Sequence, residues 1–503
     1  MTFVILTDDR QFLSDLGDVV RIFYGSVTVT DVPDGAAEVY IHTSAGRDGQ
    51  WTDTWRHGDT VETLSSTAQG HPLTVKRLRK RAVKLGLYRL IKRETGLTPP
   101  WGSLTGIRPT RLLYEGMEEG LSREEAVRRV TEAYDVSPDR ARLLGEIAAM
   151  QQGKLHPPED TFDLYIGIPF CTTRCSYCSF ASGEIGDGHL VRPYVDALCA
   201  EISLSAELTR ARGLHVRAAY IGGGTPTAIP ADELERILAR AQQAFPGAVE
   251  WTVEAGRPDT IDREKLEMLR RMHVTRISVN PQTFSDDTLR RIGRAHTAQQ
   301  TVDAYLLARE MGFDDINMDL IAALPGEGVD DFAQSIDRAI ALAPDSVTVH
   351  TLAVKRSSRL HEDLVVHGDD GRARAFDDAA ARMVDLARAR LTAAGYRPYY
   401  LYRQKYMAGN GENVGYARPG KQCLYNIGNM EETASVLALG AGAITKWLYD
   451  REQRAEAQGV DVEAMRFSNL QLRIERAPNV RNVEQYIERV EEMVERKSRL
   501  IVC

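Results

Sequence analysis

Cys171, Cys175 and Cys178 form a C-x3-C-x2-C array just beyond the short apolar run that begins at Tyr165. Thiolates are soft ligands, and at short loop spacing they select an iron–sulfur cluster or zinc. A closed zinc site or an ordinary four-iron cluster takes four protein ligands, and this loop offers three. A cubane held by three cysteines leaves one iron open, and an open iron chelates a small molecule. The alternative is three buried or zinc-binding cysteines. The remaining cysteines, Cys199, Cys423 and Cys503, are scattered and form no disulfide framework. Cys423 reads as a buried structural thiol rather than a fourth ligand.

From about residue 160 to 360, strand-like runs alternate with helical spacing, the pattern of a parallel sheet built from βα units. Strands are predicted near 163–168, 217–222, 249–254, 275–280, 315–320 and 346–352, with helices near 190–212, 231–244, 262–272, 297–311 and 328–342. Six such units make an α/β fold, an incomplete (β/α)6 barrel, whose chemistry belongs at the C-terminal ends of the strands. The cysteine loop follows the first strand, and Gly222-Gly223-Gly224-Thr225-Pro226 follows the second. Glycines let backbone approach a ligand closely, although such a run is also an ordinary turn. Glu254 ends the third strand, Gln282 follows the fourth, Arg294 lies beyond it, and Asp319 sits in the fifth. Each polar residue alone reads as a surface or capping group. On one rim with the cysteine loop they read as a site.

The flanks suggest two further parts. At roughly 150 residues per domain, 503 residues divide into 1–158, 159–365 and 366–503. The first is predicted as an α/β-plus-helical domain, with strands at Thr2–Leu6, Val19–Val29 and Ala37–His42 and a basic helix from Leu73 to Lys92. That basic face suits solvent or nucleic acid equally. Ser122 with Glu125 forms a capping box, and Ser137-Pro138 opens a second helix. The Trp101-Gly102 turn beside Arg108 and Arg111 reads as a structural corner or an anion site. The last part is predicted as mainly helical, with an aromatic, basic stretch from Tyr396 to Met407 and a charged amphipathic helix, lid or packing element, from Val483 to Arg499. Hydrophobic content of 43% and charged content of 27% describe a soluble globular protein. A net charge of −8 argues against a general nucleic-acid binder. Asp8 and Asp9 follow the apolar start too closely for a signal peptide. No run reaches the roughly 18 apolar residues of a membrane span. A reduced, cytoplasmic protein is the expectation.

On these motifs the chain resembles the radical S-adenosylmethionine (SAM) proteins. Among them it is similar to the oxygen-independent coproporphyrinogen III dehydrogenase family, in its HemZ branch, through about residue 446. Tyr399–Lys405, Gly409–Tyr416 and Cys423–Ile427 carry the HemZ-like block. The resemblance implies a [4Fe-4S] cluster on Cys171, Cys175 and Cys178, with one SAM or two. Tyr165 and Tyr177 would flank the first SAM, and Gly223, Gly224 and Thr225 would line its methionine end. Glu254, Gln282, Arg294 and Asp319 would hold it, and Ala353 and Ile444 would mark a second SAM-contacting region. The family's reaction cleaves SAM to methionine and a 5′-deoxyadenosyl radical, which takes a β-hydrogen from a substrate propionate. Loss of CO2 together with one electron, passed to an acceptor, then leaves a vinyl group, and two such events convert coproporphyrinogen III to protoporphyrinogen IX. The implied partners are a porphyrinogen or heme and an electron donor such as flavodoxin or ferredoxin. Arg403, Lys405, Arg418 and Lys421 beside the aromatic stretch suit a tetra-anionic porphyrinogen, or simply cover apolar surface.

Two positions depart from the family pattern. Phe180 stands where the best-known enzymes carry a fourth cysteine, as in the related heme chaperones, and Gly167 replaces the usual histidine. The chaperones' His-Asn…Tyr-Trp motif is absent from Tyr425–Met430. A heme chaperone on the same barrel, and a radical SAM enzyme with another substrate, are the rival readings.

Overall fold

The computed structural model describes residues 2–25, 27–32, 37–70, 72–106, 108–353, 358–360, 378–404, 407, 411–449 and 474–501. Cys503, Lys405 and Gly409-Asn410 of the HemZ-like block lie outside them, as do the first turns of the helical spacing that the sequence carries from Arg372 to Ala394.

The N-terminal sheet comprises β1 (Thr2–Thr7), β2 (Thr28–Thr30), β3 (Glu38–Arg47), β4 (Gln50–His57) and β5 (Thr60–Thr67), in the order β2-β1-β3-β4-β5. It shares a buried apolar cluster with α1 (Leu13–Tyr24) and α2 (Pro72–Thr95). Residues 19–24, expected as strand, belong to α1. Leu16, Val19, Val20 and Phe23 recur at helical spacing and all are buried, so periodicity outweighs β-branched composition. The β3–β4 hairpin, not anticipated, turns on Asp48 and Gly49, both at positive φ (53° and 78°), as a tight two-residue turn requires.

Several cations of the basic α2 are paired within the protein. Arg79 binds Asp53 of β4, Arg77 binds Glu115 and Lys92 binds Asp135. The first pair joins α2 to the sheet, and the others join it to α3 (Thr110–Glu118) and to the end of α4 (Arg123–Tyr134), which α5 (Pro138–Gln151) follows. Ser122 closes the expected capping box on α4 and Ser137 caps α5. Trp101 is fully buried and donates its indole N–H to Glu412 Oε2 at 2.8 Å. At Gly102, φ is +54° and an added Cβ would lie 2.1 Å from the Tyr134 carbonyl. Arg108 and Arg111 are spent on Glu432. This stretch is a corner, not an anion site.

After α5 comes β6 (Thr161–Ile168), then the two-residue strands β7 (Phe170–Cys171) and β8 (Gly183–Glu184), whose pairing closes the cysteine loop. The barrel continues with β9 (His215–Gly223), β10 (Glu250–Val253), β11 (Arg276–Ser278), β12 (Ile316–Ala322) and β13 (Ser346–Thr351). These five and β6 pair in parallel in the order β13-β12-β11-β10-β9-β6. The crossovers are α6 (Val191–Arg210), α7 (Ala231–Ala244), α8 (Arg263–Arg271), α9 (Asp286–Arg291) with α10 (Ala298–Glu310), and α11 (Val329–Leu342). The six predicted strands and five predicted helices are all present. β6 is buried along most of its length, as in a parallel strand covered on both faces.

The region after residue 365 differs from its mainly helical expectation. Besides α12 (Asp378–Ala393) it contributes β14 (Arg397–Tyr402), β15 (Asn413–Ala417), α13 (Leu424–Glu431), β16 (Ser435–Leu439), β17 (Ile444–Leu448) and β18 (Ile474–Pro478), then α14 (Val483–Glu488) and α15 (Val490–Ser498). β15 and β14 extend the sheet antiparallel beyond β13. β16 lies parallel to β6, with β17 and β18 outside it, giving an 11-stranded sheet. The five strands are short aromatic or aliphatic runs that gain stability only by adding to an existing edge. Among the described residues no helix is long and apolar enough to cross a membrane.

The C-terminal amphipathic segment is a packing element, broken at Arg489 into α14 and α15. Lys497 is fully buried and binds Glu201 Oε1 of α6 at 2.5 Å. Glu201 also accepts from the Gly440 amide (2.7 Å), Asn479 (2.8 Å) and Tyr486 (2.6 Å). Lys497→Met would leave that carboxylate buried without its cation, a change that costs about 3 kcal/mol or more. A urea titration should show a destabilisation of that order.

Candidate active site

The site occupies the rim where the parallel strands end. Cys171 closes β7, Cys175 is buried, and Cys178 is half-buried. Among the described residues, Thr225 Oγ1 donates to Cys171 Sγ at 3.6 Å and Arg257 Nη1 to Cys175 Sγ at 3.9 Å. Burial pushes the Cys178 thiol up, and the neighbouring Cys175 and Cys171 add to the shift.

The glycine run is fixed against the start of this loop. Gly224 donates to the Ile168 carbonyl and Thr225 to the Phe170 carbonyl, each at 2.7 Å. A Cβ on Gly224 would sit 2.5 Å from the Phe170 carbonyl oxygen, and Gly223 has φ +107°. Only glycine permits both the close approach and the backbone angle.

Glu254 follows β10 and accepts from Tyr220 at 2.5 Å. Burial raises its carboxyl to about 7, with repulsion from Asp319 adding to the effect against the Tyr220 hydrogen bond. Asp319, in β12, goes the other way. Burial would raise it, but His350 at 3.7 Å and the Asn317 amide at 2.7 Å hold it below the ordinary carboxylate value. Gln282 sits at φ +65°, and its backbone N–H donates to the Asp319 carbonyl at 2.9 Å. Arg294 donates to Tyr177 Oη and to the Gly256 carbonyl, each at 3.3 Å. Burial pushes the Tyr177 phenol up despite that arginine. Tyr165 stacks with Tyr220 and Tyr425 inside the barrel.

The residues fit a cluster and a small polar ligand. Three thiols on one loop suit a cubane with one open iron. Buried Gln282 Oε1 and Arg294 Nε have no protein partner among the described residues, and buried polar atoms otherwise find one.

Residues 165–339 match the family model for the Radical SAM superfamily. The chain is 40% identical over 380 residues to the oxygen-independent coproporphyrinogen-III oxidase-like protein HemZ of Bacillus subtilis, covering 74% of this chain and 75% of that protein. The chain belongs to the HemZ-like family of radical SAM proteins. It is also 30% identical over 282 residues to the heme chaperone HemW of Escherichia coli, covering 56% of this chain and 68% of that one. The solved coproporphyrinogen III oxidase HemN of Escherichia coli superposes with a TM-score of 0.51 at 22% identity, over 71% of this chain and 73% of that one, which shows the shared fold.

In this HemZ-like chain Ala353 and Ile444 lie just past the C-terminal ends of β13 and β16, strands that run in the same direction as β6. Ala353 bridges to Met407 beyond β13, while Ile444 opens β17 and is 44% exposed. Among the described residues no hydrogen bond joins the two. Of the cations suited to substrate carboxylates, the described Arg403, Arg418 and Lys421 are each engaged within the protein. Arg403 stacks on Trp101 and donates to the Leu104 carbonyl. Arg418 stacks on Tyr396, and Lys421 reaches the Asp314 carbonyl at the opposite end of β12. Lys405 lies outside the described residues. Tyr399 and Tyr400 are buried with Tyr425 and Cys423 in the barrel interior. Sequence reasoning missed Arg257, Asp259 and Thr172. Their signal was available, since Arg257 lies three residues beyond Glu254 on the same rim loop.

Proposed function

We propose that this chain carries out oxygen-independent oxidative decarboxylation of coproporphyrinogen III to protoporphyrinogen IX in heme biosynthesis. The observation that carries the reading is the three-cysteine loop joined on one rim to Gly224, Thr225, Glu254 and Arg294, in a chain 40% identical to HemZ. Cys171, Cys175 and Cys178 would hold a [4Fe-4S] cluster, and Tyr165, Tyr177, Gly223, Gly224, Thr225, Glu254, Gln282, Arg294 and Asp319 would hold SAM, with Ala353 and Ile444 reserved for a second. When bound, the reduced cluster and SAM supply a 5′-deoxyadenosyl radical. The chain's own part is positional. Arg294 offers buried donors to an anionic group, while Glu254 and Asp319 offer acceptors to a cationic or hydroxyl group. Tyr165, Tyr220 and Tyr425 fill the barrel beneath them and exclude water.

The proposal includes a cytoplasmic setting and a flavodoxin- or ferredoxin-type donor. It also includes the division at residues 158 and 365, the C-terminal part covering the substrate and the N-terminal part docking a partner or covering the barrel mouth. The five described cysteines are all free, which supports a reducing compartment. One observation favours the chaperone reading: Phe180, 70% exposed, stands close to Cys178 instead of a fourth cysteine.

An anaerobic assay of reconstituted protein with SAM, reductant and coproporphyrinogen III separates these readings. Deoxyadenosine and protoporphyrin (after oxidation), in roughly a two-to-one ratio with one SAM per propionate, are the expected products. Deoxyadenosine without porphyrin turnover would mean another substrate. Neither product, with stable heme binding, would mean the chaperone.

A further inference from the structure

Arg257 lies in the turn that leaves β10, and it is only 2% exposed. Its Nη1 donates to the Thr173 carbonyl at 3.0 Å as well as to Cys175 Sγ at 3.9 Å. Asp259 grips its other edge, with Nε to Oδ1 at 3.2 Å and Nη2 to Oδ2 at 3.4 Å. The same carboxylate accepts from Thr172 Oγ1 at 3.1 Å. Buried His296 backs it, with Nδ1 3.7 Å from Oδ1. The turn is braced from below, since Thr227 donates to the Ala255 carbonyl (3.1 Å) and Thr260 to the Arg257 carbonyl (2.8 Å). One arginine–aspartate pair therefore holds Thr172 and Thr173 of the cysteine loop. The same pair aims an N–H of a permanently charged group at one sulfur.

We infer that Arg257, held by Asp259, is a positioning residue for the cluster: it fixes the Thr172–Cys175 segment and raises the cluster's reduction potential through its N–H···S bond to Cys175. The inference rests on the [4Fe-4S] reading above. A cluster gains negative charge on reduction, so a donor and a fixed positive charge at its sulfur stabilise the reduced form. Glutamine in place of Arg257 removes the charge and shortens the reach. Lysine keeps the charge but lacks the planar fork that spans Thr173, Cys175 and Asp259 together.

The test is an EPR-monitored redox titration of reconstituted wild type, Arg257→Gln and Arg257→Lys, with iron and sulfide assayed in each. Arg257→Gln should be at least tenfold harder to reduce, a midpoint lower by 59 mV for a one-electron couple, with Arg257→Lys between it and wild type. A wild-type midpoint in loaded Arg257→Gln would overturn the inference. Should Arg257→Gln not load, a wild-type midpoint in loaded Arg257→Lys would do the same. Loss of iron from both variants, with unchanged circular dichroism, would support the hold of Arg257 on the Thr172–Cys175 segment. Wild-type protein that takes up no cluster would instead overturn the site reading itself.

Discussion

Cys175→Ala should leave the reconstituted protein colourless, while Cys423→Ala should keep the full brown absorbance and its iron. Cys175 is the most buried of the three loop thiols and the one that Arg257 approaches. Loss of an outer partner of a metal ligand typically costs about 10–100-fold in affinity, so loss of a ligand itself should cost more. Two cysteines cannot close the cubane. Cys423 is more deeply buried still but differently placed. It donates to Glu250 Oε1 at 3.2 Å, at the start of β10 and the opposite end of the barrel from the loop. Burial pushes its thiol well above the ordinary value, and the Glu250 carboxylate adds to the shift. A neutral thiol is a poor ligand. Iron, sulfide and visible absorbance after anaerobic reconstitution are the measurements. Equal loss in both variants would mean that the ligand set is wrong.

The contrast between these two cysteines marks what sequence could and could not give. The C-x3-C-x2-C spacing is local, and local spacing survives any uncertainty about tertiary placement. The barrel was legible for a related reason, because each βα unit repeats one hydrophobic rhythm and the rim rule then orders the loops. Residues 19–24 misled because Val19 and Val20 are β-branched, and the helical spacing shows only when Leu16 and Phe23 are counted with them. The C-terminal strands were hidden because strands that complete a sheet edge carry no period of their own. Arg403, Arg418 and Lys421 looked like a substrate cradle in one dimension, but their partners, Leu104, Tyr396 and Asp314, are dozens to hundreds of residues away or across the sheet. Arg257 escaped notice for the same reason: its value lies in the approach to Cys175, 82 residues earlier.

SAM should bind about tenfold more weakly at pH 6 than at pH 8, and Glu254→Gln should abolish that dependence. Glu254 titrates at about 7, raised from 4.5 by burial and by Asp319 nearby. Above pH 7 it presents a carboxylate to the site, and below pH 7 a neutral acid. SAM carries a sulfonium and an ammonium, so it favours the ionised form, and affinity falls as pH drops through 7. Asp319 does not share this window, because His350 and Asn317 keep its carboxyl below the ordinary value despite burial. The same raised value has the opposite sign for folding. In the ligand-free protein Glu254 favours the native state more as pH falls from about 7 toward 4.5. The contribution of Glu254 itself to stability therefore runs opposite to the expected loss of affinity. Glu254→Gln is neutral throughout, so it should bind SAM with a weak, flat profile near the wild-type level at pH 6. Anaerobic equilibrium dialysis of labelled SAM across pH 6–8 measures both proteins. A slope that persists in Glu254→Gln would assign the titration to another group and remove Glu254 from the SAM site.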